Sequence, residues 1–437
     1  MPVSSLFSFG VNLIHRGGRA RPLQSIYRME LRFGLFLFVA LIPVIFAQDI
    51  SHGSIVVDGT MTVAQTDDNF VCATIDWWPH DKCDYGQCPW HYTSVTNLNL
   101  SHPFLAKAVQ ETGVMVTFGL NALHGRHNIK RSLWGGDWDS SNAQEFLKYT
   151  ISKGYNIDSW EFGNELSGHA PGGFFEEEWF VKLLQTSGSR VLDVMSHHMY
   201  NLGAGVDPKL ISKILNPDHL NKASYTFGNL THVIRRHGPW SSAWVGESGG
   251  AFNSGGSHVS NTFVNSFWYL DQLGIALLWH RLMGKVVLSV ESDASPFLRS
   301  YAHCSKGRAG VTLLVINLSN QTNFVMNVQN SINLKLAVNE QNISRGGFTH
   351  TLKKTFSWVG TKASNEALFR EEYHLTPKDG YLQSQTMVLN GIPLEFTDSG
   401  NIPSLDPVHV NLKSPISISP LSIAFILFPN FEAPACG

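Results

Sequence analysis

Charge is scarce in this 437-residue sequence: Asp, Glu, Lys and Arg make up 15% of it, and 32 basic against 34 acidic side chains leave a formal net charge of -2. Without a basic excess there is no electrostatic footprint for a phosphate backbone, which excludes nucleic acid as a partner. No apolar run reaches the roughly 20 residues of a membrane-spanning helix. The longest, Phe33 to Ala47, covers about 15 and contains Pro43. No Gly-rich phosphate or dinucleotide loop follows a strand-like segment, so no nucleotide cofactor is implied. Internal repeats and low-complexity tracts are absent. Cysteine is sparse and odd in number: Cys72, Cys83, Cys88, Cys304 and Cys436 leave one thiol over if the rest pair. Cys83 and Cys88 share one short loop and could bridge locally. No second ligand pair follows at zinc-finger spacing, and no metal is implied.

Apolar residues are plentiful, at 43% with 27 Phe and 12 Trp, enough to offset the entropy of ordering a chain. At roughly 150 residues per domain the length predicts two or three units. Arg32 before the Phe33 to Ala47 run, and Gln48-Asp49 after it, give the regions of a secretory signal beginning at Met29. Residues 1 to 28, with Arg16, Arg19, Arg21 and Arg28, lie outside that signal and read as an upstream extension or a transit-like presequence. The expectation is a secreted or vacuolar protein, with peripheral membrane association compatible with it. Five Asn-x-Ser/Thr acceptors, at Asn99, Asn229, Asn317, Asn320 and Asn342, are expected glycosylation sites.

After extended segments between Ile55 and Ala73, strand and helix patterns alternate. Ser101 to Val109 is helical, Val114 to Leu120 a buried strand, and Asn142 with Glu145 three residues on predicts an N-cap. Ala143, Phe146, Leu147, Thr150 and Ile151 then share one helix face, ending near Gly154. Strands at Ile157 to Phe162, Val191 to Tyr200 and Ala243 to Glu247 alternate with helices at Phe174 to Leu184, Leu210 to Leu215 and Ser260 to Leu273. Such alternation predicts a parallel sheet with crossovers, and the missing phosphate loop favours a barrel over a doubly wound sheet. From about Val286 the text turns β-rich: Val311 to Leu318, Thr386 to Leu389 and Ile416 to Phe428. A β-sandwich of about 150 residues is predicted there, with Ile423 to Phe428 as a central strand. The expected organisation is 1-47 extension and signal, 48-69 N-terminal strands, 70-284 a (β/α) barrel, and 285-437 the sandwich.

Two carboxylates each end a strand-like run and open a Gly- or Asn-containing turn: Glu165 in Trp160-Glu161-Phe162-Gly163-Asn164-Glu165, and Glu247 in Trp244-Val245-Gly246-Glu247-Ser248-Gly249-Gly250. In a barrel the C-terminal strand ends converge over the mouth, and glycoside hydrolysis needs two carboxyls there. Asn164 could bond a sugar 2-hydroxyl, and Trp160, Tyr200 and Trp244 offer flat faces for a pyranose. Any single Glu at a strand end is more commonly a solvated or capping residue; two such motifs with Asn and Trp beside them favour chemistry. Adjacent His197 and His198 face opposite sides of a strand, so both cannot easily bind one ion, and a buried hydrogen-bonded His is the favoured reading. Gly246-Glu247-Ser248-Gly249 is not the Gly-x-Ser-x-Gly elbow of a serine hydrolase.

At these residues the sequence resembles the plant heparanase-like proteins of glycoside hydrolase family 79, relatives of animal heparanase. The resemblance runs through Cys72 to Trp90, Phe118 to Leu123, Trp160 to Leu166, His197 to Val206, Trp244 to Gly250, Phe267 to Gly274 and Glu371 to Gly380. It implies a (β/α)8 TIM barrel with a C-terminal β-sandwich, acting without cofactor as a retaining β-glucuronidase on glucuronic-acid-containing polysaccharides, proteoglycans or glucuronides. By the same resemblance Glu165 is the acid/base, Glu247 the nucleophile and Asn164 the acid/base's neighbour, with Gly249 and Gly250 in the nucleophile turn. Against the family pattern, stretches are missing after Val109, Gly168 and Gly274, the last including the Gly-Asn-Tyr element that receives the uronate carboxylate. Phe252 stands where relatives usually have Tyr, and Ser167 where they have Cys. An incomplete barrel carries a second expectation: an inactive isoform serving as a glycan-binding or cell-wall protein.

Overall fold

The computed structural model describes residues 49–66, 115–130, 133–166, 177–253, 255–272, 281–334, 369–395, 397 and 403–437. The signal region, Cys72, Cys83, Cys88, Asn99, Asn342, Ser167, the 101–109 helix and the three junctions at Val109, Gly168 and Gly274 lie outside them.

Among the described residues the order begins with strand β1 (Asp49–Gln65). There follow β2 (Thr117–Leu120), β3 (His127–Lys130), β4 (Leu133–Gly135), helix α1 (Ser141–Lys153), β5 (Ser159–Phe162), α2 (Glu177–Ser187), β6 (Val194–Met199) and β7 (Gly203–Ala204). Next come α3 (Leu210–Ile214), α4 (Pro217–Leu220), α5 (Lys222–His237), β8 (Ser242–Ser248), β9 (Ala251–Phe252) and α6 (Phe263–Gln272). The rest is strand: β10 (Met283–Ser292), β11 (Leu298–Ser305), β12 (Val311–Asn317), β13 (Thr322–Asn330), β14 (Phe369–Pro377), β15 (Met387–Leu389), β16 (Ile392–Pro393), β17 (Val408–Asn411), β18 (Ile416–Ile418) and β19 (Ser422–Phe428).

The alternating half holds parallel pairs. β2 lies beside β5, with Thr117 opposite Ser159 and Leu120 opposite Phe162; β6 lies beside β8, and β7 beside β9 continues that pair. Parallel neighbours require a crossover, and α1 supplies it between β2 and β5. That helix stops at Gly154, whose φ of +66° lets its N–H reach the Thr150 and Ile151 carbonyls. Its start differs from expectation: the Asp139 carboxylate accepts the Ser141 N–H at 2.9 Å, so Asp139 rather than Asn142 covers a free donor of the first turn. Ala143 and Thr150 are buried, but Ile151, expected on the same face, is exposed.

The β-rich half is one eleven-stranded sheet, not two separate ones. Along its path β14-β19-β12-β11-β10-β1-β13-β18 the sheet curls so that β13 and β18 share a core with β1, β12 and β19, in which Ile55 and Val57 meet Val311, Leu313, Val315, Phe324, Met326, Ile416 and Ile418. Leu314 and Ile316 of β12 point oppositely, into a second core with Phe263, Phe267 and Trp268 of α6. Burial on both faces explains why β12 and β19 read as unbroken apolar runs; β19 is central, between β14 and β12. The sheet also takes in β1, paired antiparallel with β10 and parallel with β13, so residues expected as a separate 48–69 segment belong to the C-terminal sheet. Cys304 pairs with Cys436 across a Cα–Cα distance of 5.4 Å. No helix of the described residues is long and apolar enough to cross a membrane.

Candidate active site

Glu165 is delivered by a tight turn. β5 ends at Phe162, and Gly163, with φ +77°, donates its N–H to the Leu120 carbonyl at 3.0 Å. A Cβ at Gly163 would stand 2.6 Å from Leu166 Cδ2 and 2.8 Å from Ala122 Cβ, so the approach requires glycine. Glu165 itself takes φ +47°, a left-handed conformation costing a residue with a Cβ about 1 kcal/mol.

β6 sorts its side chains by alternation. Met195, His197 and Met199 are buried, while Ser196 and His198 occupy the other, half-open face. Met195 packs with Phe180 and Leu184 of α2 and Leu230 and Val233 of α5. His197 turns to the same side, its ring 6.3 Å from that of Phe180, and burial pushes its pKa down to about 4. His198 faces the carboxylates: its Nδ1 lies 3.3 Å from Glu165 Oε1 and 3.5 Å from Glu247 Oε2.

The aim of Glu247 depends on a bulge. Ser196 pairs with Trp244 and His197 with Val245; the register then skips Gly246 and resumes with His198 opposite Glu247. Strict alternation from Trp244 would turn Glu247 to the helix-facing side with Val245. The extra residue restores it to the face of His198, and a Cβ at Gly246 would collide with Ser196 Oγ. Tyr200, one residue past β6, donates its hydroxyl to Glu247 Oε1. Gly249 makes room for that ring, since a Cβ there would stand 2.7 Å from Tyr200 Cε1.

Donor atoms of Glu165, His198 and Glu247 all lie within 4.8 Å of one another, so the carboxylates approach as closely as the roughly 5–5.5 Å of a retaining glycosidase pair. Among the described residues these three are also the group that could hold a cation. Their environments differ: the Glu247 side chain is 16% exposed and gripped from two sides, that of Glu165 is 42% exposed. The His198 hydrogen bond holds the Glu165 carboxyl below its ordinary range, against the partial burial that would raise it. For His198 burial acts downward, but the Glu165 bond and the charges of Glu247, Glu165 and Glu161 outweigh it, and its pKa is raised.

Other expected site residues fare differently. Trp160 is a correction: its ring packs 5.9 Å from Phe118 and 5.8 Å from Phe146 of α1, on the opposite side of β5 from Glu161, so it serves the helix interface and offers no sugar platform. Trp244 shares the face of Ser196 and is exposed. Asn164 is exposed in the turn before Glu165. Gly250 contributes close packing: its carbonyl accepts the Leu202 N–H at 2.9 Å, and a Cβ there would stand 2.8 Å from Leu202 Cδ1 and 2.9 Å from Asn265 Oδ1. Ser248 Oγ donates to the Met199 carbonyl. The sequence reading missed His198, Glu161 and Gly246; the i, i+2 spacing of Ser196, His198 and Tyr200 was the available signal. Asn317 is also corrected as a glycosylation site. It is fully buried, its Nδ2 donating to the carbonyls of Thr322, Ile418 and Ser419, which leaves no room for a glycan, whereas Asn229 and Asn320 are exposed.

The model of the glycosyl hydrolase family 79 N-terminal domain matches residues 52–111, 108–170 and 169–274. The chain is 45% identical to Heparanase-like protein 2 of Arabidopsis thaliana, over 90% of its own length and 97% of that protein's. The chain belongs to glycoside hydrolase family 79. Within the family it is 30% identical to the baicalin-beta-D-glucuronidase of Scutellaria baicalensis, over 84% of the chain and 90% of that enzyme. The fold is shared with the alpha-L-arabinofuranosidase from Thermotoga maritima, at a TM-score of 0.50 and 11% identity over 86% of this chain and 99% of that one. The family match breaks at 108–111 and 169–170 and ends at 274, beside Val109, Gly168 and Gly274. The Arabidopsis alignment runs over 524 positions, of which 90% of a 437-residue chain fills only about three quarters.

Proposed function

We propose that the protein is a retaining glycosidase acting on β-linked glucuronic acid by double displacement. The observation that carries this is the convergence of Glu165 and Glu247 on one nitrogen, His198 Nδ1, with donor atoms within 4.8 Å. A Glu247 oxygen attacks the anomeric carbon as the glycosidic C–O bond breaks, and the leaving oxygen takes the Glu165 proton. Glu165 then removes a proton from water, which attacks the same carbon and frees Glu247. Glu247, held by Tyr200 and His198, suits the nucleophile; Glu165, the more exposed, suits proton exchange with leaving group and water. Since His198 favours the ionised form of Glu165, that bond is the one an entering sugar has to break before the acid can act. The glucuronide named for the Scutellaria relative supports a glucuronic acid substrate.

The architecture that goes with this reading is a (β/α) barrel lacking staves over residues 70–284, joined to the curled sheet, in a secreted or vacuolar protein carrying glycans at Asn229 and Asn320. The family match in three pieces favours one further reading, an inactive isoform that retains glycan binding. An aryl β-glucuronide separates the two. Release by the purified chain, lost in both Glu165→Gln and Glu247→Gln, supports the enzyme; a parent no faster than either variant, with glycan still retained, supports the inactive isoform.

A further inference from the structure

We propose that Trp268 of α6 and Asn201 are positioning residues for Glu247, holding the turn that carries Tyr200 against the glycine turn that follows Glu247. This rests on the glycosidase reading and adds to it two residues that act through Tyr200.

Tyr200 reaches Glu247 from just beyond the last paired residue of β6, since the register with β8 ends at Met199 opposite Ser248. Its ring is therefore placed in part by whatever fixes the chain after it. Asn201, the next residue, is held at two points. Its carbonyl accepts from His219 Nε2 of α4 at 3.0 Å, and its Oδ1 accepts the Trp268 indole N–H at 2.5 Å. An indole nitrogen only donates, so the amide oxygen is the atom that faces it. One residue on, the Leu202 carbonyl accepts from Lys213 Nζ, and the Leu202 N–H donates to the Gly250 carbonyl.

The same indole lies against the exit of β8. A Cβ at Gly250, three residues past Glu247, would stand 3.6 Å from Trp268 Cδ2. One rigid ring thus sets the spacing between the residue after Tyr200 and the turn after Glu247. Trp268 is 1% exposed, which shields its N–H from water, and a buried donor left unpaired is costly. The helix that carries it is tied to the sheet half at both ends. Its Phe263 and Val264 N–H groups donate to the Ser384 and Leu382 carbonyls at 2.8 and 2.9 Å. At the other end Arg299 Nε and the Tyr301 hydroxyl of β11 donate to Asp271 at 2.8 and 2.5 Å. Core filling alone would need only an aromatic ring at 268; the indole N–H adds a directed hold on Asn201.

Two readouts on the full chain test this, one of them independent of turnover. Trp268→Phe keeps a ring and deletes the N–H. With an aryl β-glucuronide its kcat should fall about tenfold while KM stays within about twofold of the parent. Asn201→Ala, at a half-buried site, should do the same, and it serves where Trp268→Phe folds poorly. Added to Tyr200→Phe, either change should lower kcat by less than about twofold more, because the bond it supports is already gone. Trp240→Phe, at an exposed tryptophan outside this network, should leave kcat unchanged. An unchanged kcat in both Trp268→Phe and Asn201→Ala, or a loss in the Tyr200→Phe chain as large as in the parent, overturns the proposal. The second readout is the Trp268 indole resonance in chain labelled with 15N at tryptophan, identified by its loss in Trp268→Phe. It should move in Asn201→Ala and in Tyr200→Phe; a resonance that ignores Tyr200→Phe overturns the proposal whether or not the chain turns over. A parent without glucuronidase activity whose Trp268 resonance does respond removes the glycosidase reading and leaves the hold on Glu247 standing. An active parent with neither response removes this inference alone.

Discussion

With its Nδ1 3.3 Å from Glu165 and 3.5 Å from Glu247, His198 ties together two carboxylates whose proposed roles differ. The pH dependence follows from two shifts of opposite sign. A raised His198 pKa contributes stability that is complete below its ordinary 6.5 and fades as pH climbs through the folded value. A lowered Glu165 pKa contributes stability present above its ordinary 4.5 and lost as pH falls through the folded value. The pair holds best between those limits, from mildly acidic to neutral pH. The melting temperature of the parent relative to His198→Gln should therefore narrow as pH rises above neutral. Without His198 the Glu165 carboxyl is no longer held low, so the alkaline limb of kcat/KM for an aryl β-glucuronide should move to higher pH in His198→Gln; a limb that stays put argues against the coupling. Tyr200→Phe removes a hydrogen bond to a charged group, worth about 1.5–3 kcal/mol. A fall in kcat of roughly 10- to 100-fold is expected by steady-state kinetics.

The strand β8 owes its catalytic geometry to one inserted residue. Gly246→Ala places a methyl against Ser196 Oγ, and overpacking of that kind costs about 1–3 kcal/mol. Because the bulge also aims Glu247, activity should fall far more than chemical denaturation alone would account for. Ser196→Gly in the same chain, by clearing the clash, should recover part of both. Glu165 and Glu247 are legible in the sequence because each closes an apolar run and opens a glycine-bearing turn. Period-two counting by itself, however, sends Glu247 to the wrong face, since a bulge leaves no trace in alternation. Trp160 looks like a sugar platform in the sequence for the same reason: only pairing shows that β5 turns it toward Phe146. Helix α5 is poorly legible in the sequence, since Gly228-Asn229 interrupts its centre with weak helix formers, although Ala223, Leu230, Val233 and Ile234 are buried along it.

The β-rich half was legible as a class, from short apolar runs between turn residues, but its closure was not. That β1 joins β13 across more than 250 residues of chain is a long-range register that local pattern does not encode. Asn317 shows the consequence. Its Asn-x-Ser signature reads as a surface acceptor, yet its amide clamps the β13 and β18 ends of the curl. Asn317→Ala should cost about 1–3 kcal/mol in urea unfolding, and peptide mapping of chain made in a secretory host should find glycan at Asn229 and Asn320 but not at Asn317. Arg370 is a comparable clamp: 1% exposed, it pairs with Glu372 at 2.6 Å and donates to the carbonyls of Asn411, Ser414 and Pro415. Arg370→Ala leaves the buried Glu372 carboxylate with His374 as its remaining side-chain partner, 2.7 Å away, and should destabilise the chain by about 3 kcal/mol, visible as a lower urea midpoint. On the proposed reading the β5 turn and the β6–β8 pair carry the chemistry while the eleven-stranded sheet holds much of the buried core, so catalytic competence depends on how firmly Glu247 is held. The most direct measurement of that competence is trapping with an activated 2-deoxy-2-fluoro β-glucuronide on the full chain, followed by peptide mass mapping. A single glycosyl adduct on Glu247, absent in Glu247→Gln, is the expected result; aglycone release with no adduct, or with the adduct on another residue, would contradict the account.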